Sequence, residues 1–312
     1  MEPKPPPELE RSADGRWVPP RVFADDVHER QFWDEGYVRV PLLDADGLLA
    51  LEEGYRNLRP SDGFDPRTRP EHRSDYHCTF LDPDRDYRRA SDELVRRVFG
   101  PELERIVPGY RILTSNTYVK PPGTGRFEIH QNWPTIEHLD VPTVTAWIPL
   151  QDTGFENGTL RLAVGSHHLF PDVAAASSER FFDDFEAGLI EKYLRPMELS
   201  AGEALIFDDS LLHWSSDNLS DSPRVSFQIE MVPVDVRTVL WVRNPVDPGR
   251  FDMWASSTEF YLEADISEVI SGPHGLEHVG SVPNPNRRIS FEEFEDTMRR
   301  RDEIRRAKYA LG

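Results

Sequence analysis

Residues 110–242 are a succession of short β-prone segments parted by turn residues: 110–119, 126–130, 143–150, 158–163, 197–200, 203–207, 211–214, 224–233 and 238–242. Many short strands at roughly even spacing, entered from a helical layer, predict a mainly β sandwich or jelly roll backed by helices, an α+β arrangement. That layer reads from the first hundred residues. A helix is expected over 25–35, a short strand over 37–41, and a second helix over 44–58 with an Asp cap and Leu48, Leu49, Leu51 and Tyr55 at helical spacing. The helical pattern returns over 91–107, where Gly100-Pro101 predicts a break into two short helices.

The ends are organised differently. Residues 1–22, with six prolines in the first 20 positions, read as a flexible arm, and 23–243 as the main domain. Residues 244–312 read as an extension packing on the same domain. It ends in a helix opened by the capping box Ser290-Phe291-Glu292-Glu293 and running to about Tyr309. That helix reads as a solvated element laced with salt bridges. Another helical insertion is expected at 179–193.

Composition narrows the function classes. A net charge of −20, from 56 acids against 36 bases, disfavours nucleic acid and anionic membrane as partners. Apolar residues are only 38%, yet 17 Phe, 9 Tyr and 7 Trp suffice for a core. A single cysteine, Cys78, excludes an intramolecular disulfide and a cysteine zinc cluster, and reads as inert. No apolar run reaches membrane-spanning length and the amino terminus lacks signal-peptide regions, so a cytoplasmic monomer or homodimer acting on a small-molecule substrate is expected.

The chemistry concentrates in an ordered set of motifs. His130-Gln131-Asn132-Trp133-Pro134 comes first, then Thr145-Ala146-Trp147-Ile148-Pro149, Glu156-Asn157-Gly158-Thr159-Leu160 and Gly165-Ser166-His167. Farther on stand Ala201-Gly202-Glu203, His213-Trp214-Ser215 and Arg224-Val225-Ser226. One histidine pair alone carries little information. The ordered set, each member on a strand or strand end, carries much more.

This set resembles the phytanoyl-CoA dioxygenase family of non-haem iron(II)- and 2-oxoglutarate-dependent oxygenases. The resemblance runs from Gln31-Phe32-Trp33-Asp34-Glu35-Gly36-Tyr37 to Pro233 and includes Lys120-Pro121-Pro122-Gly123. It implies a double-stranded β-helix, the cupin-like jelly roll, flanked by helices. It also implies Fe(II), 2-oxoglutarate and O2 as cofactor and co-substrates, and oxidation of a C–H bond in a small organic molecule such as a natural-product intermediate. By the same resemblance His130 and His213 are metal ligands, and Arg224, eleven residues after His213, binds the distal carboxylate of 2-oxoglutarate through its bidentate fork. Asn116, Lys120, Trp147, Ser215 and Ser226 match positions lining the co-substrate pocket. For Lys120 a pocket role and an ordinary strand position are equally open, while Asn116, Tyr118 and Lys120 share one strand face.

The sequence departs from the family at one decisive place. The family pattern is His-x-Asp; here the third position is Asn132. An amide offers a neutral oxygen where a carboxylate brings a full negative charge, so metal affinity is expected to fall. Three arrangements are open: Asn132 ligates through its carbonyl oxygen, water or an anion fills the position, or the site has lost its metal and become a binding module. Glu137 is a weak substitute beyond the Trp133-Pro134 turn. A cupin-type isomerase or epimerase is the third functional class. Asp208-Asp209 either orient an imidazole or are solvated. Asp44-Ala45-Asp46-Gly47 is a turn and cap, and Gly165-Ser166-His167 a structural turn. The polar stretches 59–75 and 172–185 are expected to be lids that set specificity, and for 244–286 two roles are open, covering the pocket or forming a subunit contact.

Overall fold

The computed structural model describes residues 10–68, 74–170, 173–178, 180–272 and 275–311. Helix α1 (Asp26–Glu35) starts where the Asp25 carboxylate accepts from the Val27 and His28 amides and stops at Gly36, whose φ of 86° reverses the chain into β1 (Tyr37–Pro41). Helix α2 (Ala45–Asn57) is capped by Asp44, which accepts from the Gly47 amide, so the Asp-rich turn is a cap. After the short β2 (His77–Cys78) comes α3 (Arg85–Ile106). The expected break at Gly100-Pro101 does not occur. One helix of 22 residues runs through Pro101, because Tyr87, Leu94, Val95, Phe99, Leu103 and Ile106 bury one continuous face on both sides of it. That burial outweighs the ~3 kcal/mol cost of an interior proline.

The strands follow in order: β3 (Tyr110–Lys120), β4 (Phe127–His130), β5 (Val144–Pro149) and β6 (Leu160–Ala163). Helix α4 (Glu186–Lys192) precedes β7 (Leu194–Pro196), β8 (Glu203–Asp208), β9 (His213–Ser215) and β10 (Arg224–Pro233). The strand expected at 197–200 lies at 194–196 instead, leaving Leu199 as a lone bridge to Thr153. A six-stranded sheet in the order β1-β8-β5-β10-β3-β2 and a four-stranded sheet β4-β9-β6-β7 make the cupin-like jelly roll, antiparallel throughout. Period-two alternation sorts the large sheet. Val225, Phe227, Ile229 and Met231 of β10, with Val144, Ala146 and Ile148 of β5, face the helical layer, where Phe99 meets Phe227 at 5.6 Å. Arg224, Ser226, Gln228 and Glu230 therefore face the interior of the roll.

Beyond Pro233 the chain adds β11 (Val239–Arg243), β12 (Arg250–Ala255), α5 (Thr258–Glu263), α6 (Ile266–Ser271), β13 (His278–Pro283), α7 (Phe291–Arg299) and α8 (Arg301–Lys308). Strands β11, β12 and β13 form their own sheet, so a boundary drawn at residue 243 cuts through a hairpin. The final helical stretch is two helices rather than one, and it is not simply solvated. Arg305 is buried and donates to the carbonyls of Gly165 and Asp34 and to the His167 ring. Residues 10–22, assigned by the sequence to the arm, make defined contacts instead. Trp17 donates its amide to the Lys308 carbonyl and accepts from the Ala310 amide, because its ring has an apolar neighbourhood to pack against. The remainder of that arm, 1–9, lies outside the described residues. Among the described residues no helix is long and apolar enough to cross a membrane.

Candidate active site

Strands β4 and β9 pair so that His130 stands directly opposite His213, with a register shift between Phe127 and His130. Each imidazole is held by the carbonyl two residues before it: His130 Nδ1 lies 2.7 Å from Glu128 O, and His213 Nδ1 lies 2.9 Å from Leu211 O. A carbonyl can only accept, so each Nδ1 carries the hydrogen and each Nε2 presents a bare lone pair. The rings approach to 4.1 Å between centroids, with Phe127 stacked on His130 and Phe207 against His213. Burial pulls both pKa values below the ordinary imidazole value, and for His213 the neighbouring His130 adds to it. Two neutral, oriented imidazoles converging at one edge of the small sheet are what a divalent metal requires of histidine.

Asn132 follows β4 by two residues, and its amide N–H donates to the Asp209 carbonyl at 2.8 Å. Its side-chain NH2 donates both hydrogens, to Thr145 Oγ1 at 2.8 Å and to Asp209 Oδ1 at 2.9 Å. Asp209 is buried, and burial raises its carboxyl to about 6. Glu137 does not replace a missing carboxylate, because it is paired with Arg237 at 3.4 Å. Among the described residues the one group of three acidic or histidine side chains at ligand spacing is Asp62, His77 and Asp82, which includes neither His130 nor His213. In that group His77 is already spoken for, with Nδ1 on Asp62 and Nε2 on the Tyr87 hydroxyl.

At the inner end of the roll, Arg224 of β10 lies opposite Lys120 of β3. Arg224 is buried, its Nε has no hydrogen-bond partner, and its guanidinium lies 5.3 Å from the Trp147 ring centroid. No ion pair to Arg224 occurs among the described residues. Burial lowers its pKa to about 9. Lys120 is also buried and donates to Ser215 Oγ and Ser216 O, both at 2.7 Å. Its pKa falls well below the ordinary lysine value through burial, then through the nearby Arg224. The turn after β3 closes on its stem: Gly125 has a φ of +94°, and a Cβ there would lie 2.7 Å from Lys120 Cγ. Two buried cations without a carboxylate between them make a seat for a dianion. His130, His213, Lys120, Trp147, Ser215, Arg224 and Ser226 line one narrow annex of about 40 Å³.

The annex opens on a cavity of about 400 Å³ that shares His130 and Gln228 with it and adds Asn132, Asn116, Glu230 and a wall of aromatic side chains. Ala174–Ala176, Phe181 and Phe182 from the loop before α4 line this cavity, as do Tyr261 and Ile266 from α5 and α6. The stretch 244–286 thus contributes directly to the pocket. Glu230 accepts from Thr135 Oγ1 at 2.6 Å, and burial, then the charge of Asp209, raises its pKa well above the ordinary carboxylate value.

The sequence model of the Phytanoyl-CoA dioxygenase (PhyH) family matches residues 43–226, more than half of the chain. The chain belongs to this family. No curated protein matches the sequence. Among solved structures, the chain is similar to the non-haem α-ketoglutarate-dependent carbocyclase SnoK from nogalamycin biosynthesis, at 18% identity and a TM-score of 0.50 over 69% of this chain and 86% of that one. HygX from Streptomyces hygroscopicus, with nickel, 2-oxoglutarate and hygromycin B bound, gives 12% identity and a TM-score of 0.49 over 67% and 88%. EctD from S. alaskensis, with 2-oxoglutarate and 5-hydroxyectoine, gives 18% and 0.47 over 75% and 83%. The likeness to SnoK is one of fold.

As a member of the phytanoyl-CoA dioxygenase family, the chain brings His130, His213, Arg224, Lys120, Trp147, Ser215 and Ser226 together in one annex. Asn116 is the exception. It sits on the wall of the larger cavity, and its Oδ1 accepts from the Phe80 amide at 3.0 Å, which spends the side chain on the turn after β2. Asp208 and Asp209 are buried rather than solvated, and neither orients His130 or His213: Asp208 pairs with His168 at 2.8 Å, and Asp209 holds Asn132. Thr145, Gln228 and Glu230 were missed. The last two follow from Arg224 by steps of two along β10, a signal already present in the sequence. Thr145 carried no comparable signal, since its partner Asp209 lies 64 positions away.

Proposed function

We propose that this protein is an Fe(II)/2-oxoglutarate-dependent oxygenase that hydroxylates or otherwise oxidises a C–H bond of a small organic molecule. The observation that carries the reading is the annex itself: an unpaired buried guanidinium beside Lys120 at one end, two bare imidazole Nε2 atoms at the other. His130, His213 and the Asn132 oxygen would hold the metal. When bound, iron and 2-oxoglutarate supply the activation of O2, one oxygen atom going to succinate, formed with CO2, and the other to the substrate.

The protein's own groups do the rest. Arg224 offers its fork to the distal carboxylate of 2-oxoglutarate, and Trp147 flanks that fork. Lys120 shares the cationic seat while its bonds to Ser215 and Ser216 fix its ammonium. The aromatic walls exclude water from the site and present an apolar surface to substrate. Glu230, opening on the same cavity, suits a substrate carrying a basic nitrogen, in keeping with a net charge of −20.

Asn132 favours one competing reading, a metal-free binding relative. Incubation with Fe(II), ascorbate, 2-oxoglutarate and O2 separates the two. The oxygenase forms succinate and consumes O2 even without its substrate, slowly, whereas a binding module does neither.

A further inference from the structure

We propose that Asp209, acting through Asn132, supplies the negative charge that the metal site lacks at position 132, and that Asp209 and Thr145 together lock the Asn132 amide with its oxygen as the metal-facing atom. This rests on the reading of His130, Asn132 and His213 as the metal seat. Thr145 Oγ1 donates its one hydrogen to Asp209 Oδ1 at 2.6 Å, so toward Asn132 it can only accept. An ionised Asp209 can only accept as well. The end of the amide that faces both, at 2.8 and 2.9 Å, is therefore the NH2, with both hydrogens used. Oδ1 is left as the remaining polar atom of the side chain, and among the described residues nothing donates to it. Asn132 lines the cavity that also holds His130.

Charge makes the same point. Among the described residues Asp209 forms no ion pair, although it is buried, whereas its neighbour Asp208 has His168. A buried carboxylate without a cation is costly unless something balances it. A divalent metal on the far side of Asn132 would do so, with the amide as relay. Hydrogen bonds from the NH2 to a carboxylate shift electron density toward Oδ1 and make it a better ligand than a free amide. An aspartate at position 132 would instead set a second carboxylate about 2.9 Å from that of the buried Asp209. Asn132 with Asp209 thus amounts to one negative charge moved outward by one hydrogen bond. The latch is rigid, since the Asn132 amide donates to the Asp209 carbonyl at 2.8 Å and the Asp209 amide to the Thr143 carbonyl at 3.0 Å.

The test is anaerobic calorimetry of Fe(II) binding to the full chain without turnover, with thermal melts confirming that each variant folds. Asp209→Asn keeps an acceptor oxygen but removes the charge, and should weaken Fe(II) binding roughly 10–100-fold. Thr145→Val frees the amide to rotate and should also weaken binding. Asn132→Asp alone should gain nothing, because its carboxylate meets Asp209. The swap Asn132→Asp with Asp209→Asn should recover at least the wild-type affinity, and the contrast with Asn132→Asp alone, which gains only when the Asp209 charge is removed, is one that a merely structural role for Asp209 would not produce. Asp209→Asn binding Fe(II) as tightly as wild type, or a swap no better than Asp209→Asn, overturns the proposal while the metal seat stands. Wild type and swap both failing to bind Fe(II) overturn the metal seat itself, and this proposal with it.

Discussion

Arg224 shows how much one side chain can decide. A guanidinium that is 4% exposed and unpaired is a liability to the fold unless an anion reaches it. Replacing it with lysine keeps a charge but loses the fork, so 2-oxoglutarate affinity should fall clearly, while Arg224→Ala should cost more, about 2–5 kcal/mol or at least 30-fold, measured by equilibrium binding. Equal affinity in the lysine variant would show that the fork is not used. The two histidines and the arginine were legible because motif order and strand alternation survive in one dimension. The hydrogen bonds that give Asn132 its orientation were not. They join β5, the loop after β4 and the turn after β8, and no periodicity in the sequence connects those three places.

At the scale of elements, the strands were readable from alternation and turn residues, and β10 coincides with its expected span of 224–233. The failures share a cause, which is tertiary packing overriding a local signal. Pro101 reads as a breaker, yet α3 continues because its apolar stripe is buried on the roll. Pro101→Ala should therefore stabilise the protein by about 1–2 kcal/mol in urea melts, since Ala restores a donor to the Arg97 carbonyl with no change in the buried face. Destabilisation would mean that the proline shapes the helix. Helix α8 likewise reads as solvated from its charges, yet its Arg305 closes over the Gly165-Ser166-His167 turn. Long-range docking of that kind leaves no mark in a charge pattern.

For the molecule as a whole, the acidic surface and the buried imidazoles set the response to pH. Burial, then the charge of Arg305, lowers His167 from its ordinary value to about 3. The unfolded chain binds that proton near pH 6.5, so the His167 contribution is complete above 6.5 and is lost as pH falls toward 3. His167→Gln keeps an acceptor for Arg305 and should flatten the stability–pH curve by about one proton over that window; an unchanged slope would contradict the assignment of a neutral ring. Burial acts with the opposite sign on Asp209. Its raised carboxyl favours the fold below its ordinary value, and that contribution is lost as pH rises through about 6.

The central claim is that one annex holds both a metal and 2-oxoglutarate. Anaerobic addition of Fe(II) and 2-oxoglutarate to the full chain, followed by visible absorption, tests it most directly. The account predicts the weak charge-transfer band of a chelated complex in the wild type and its loss in Arg224→Ala. A wild-type protein that shows no band at saturating Fe(II) and 2-oxoglutarate, or a band that persists unchanged without Arg224, would contradict it.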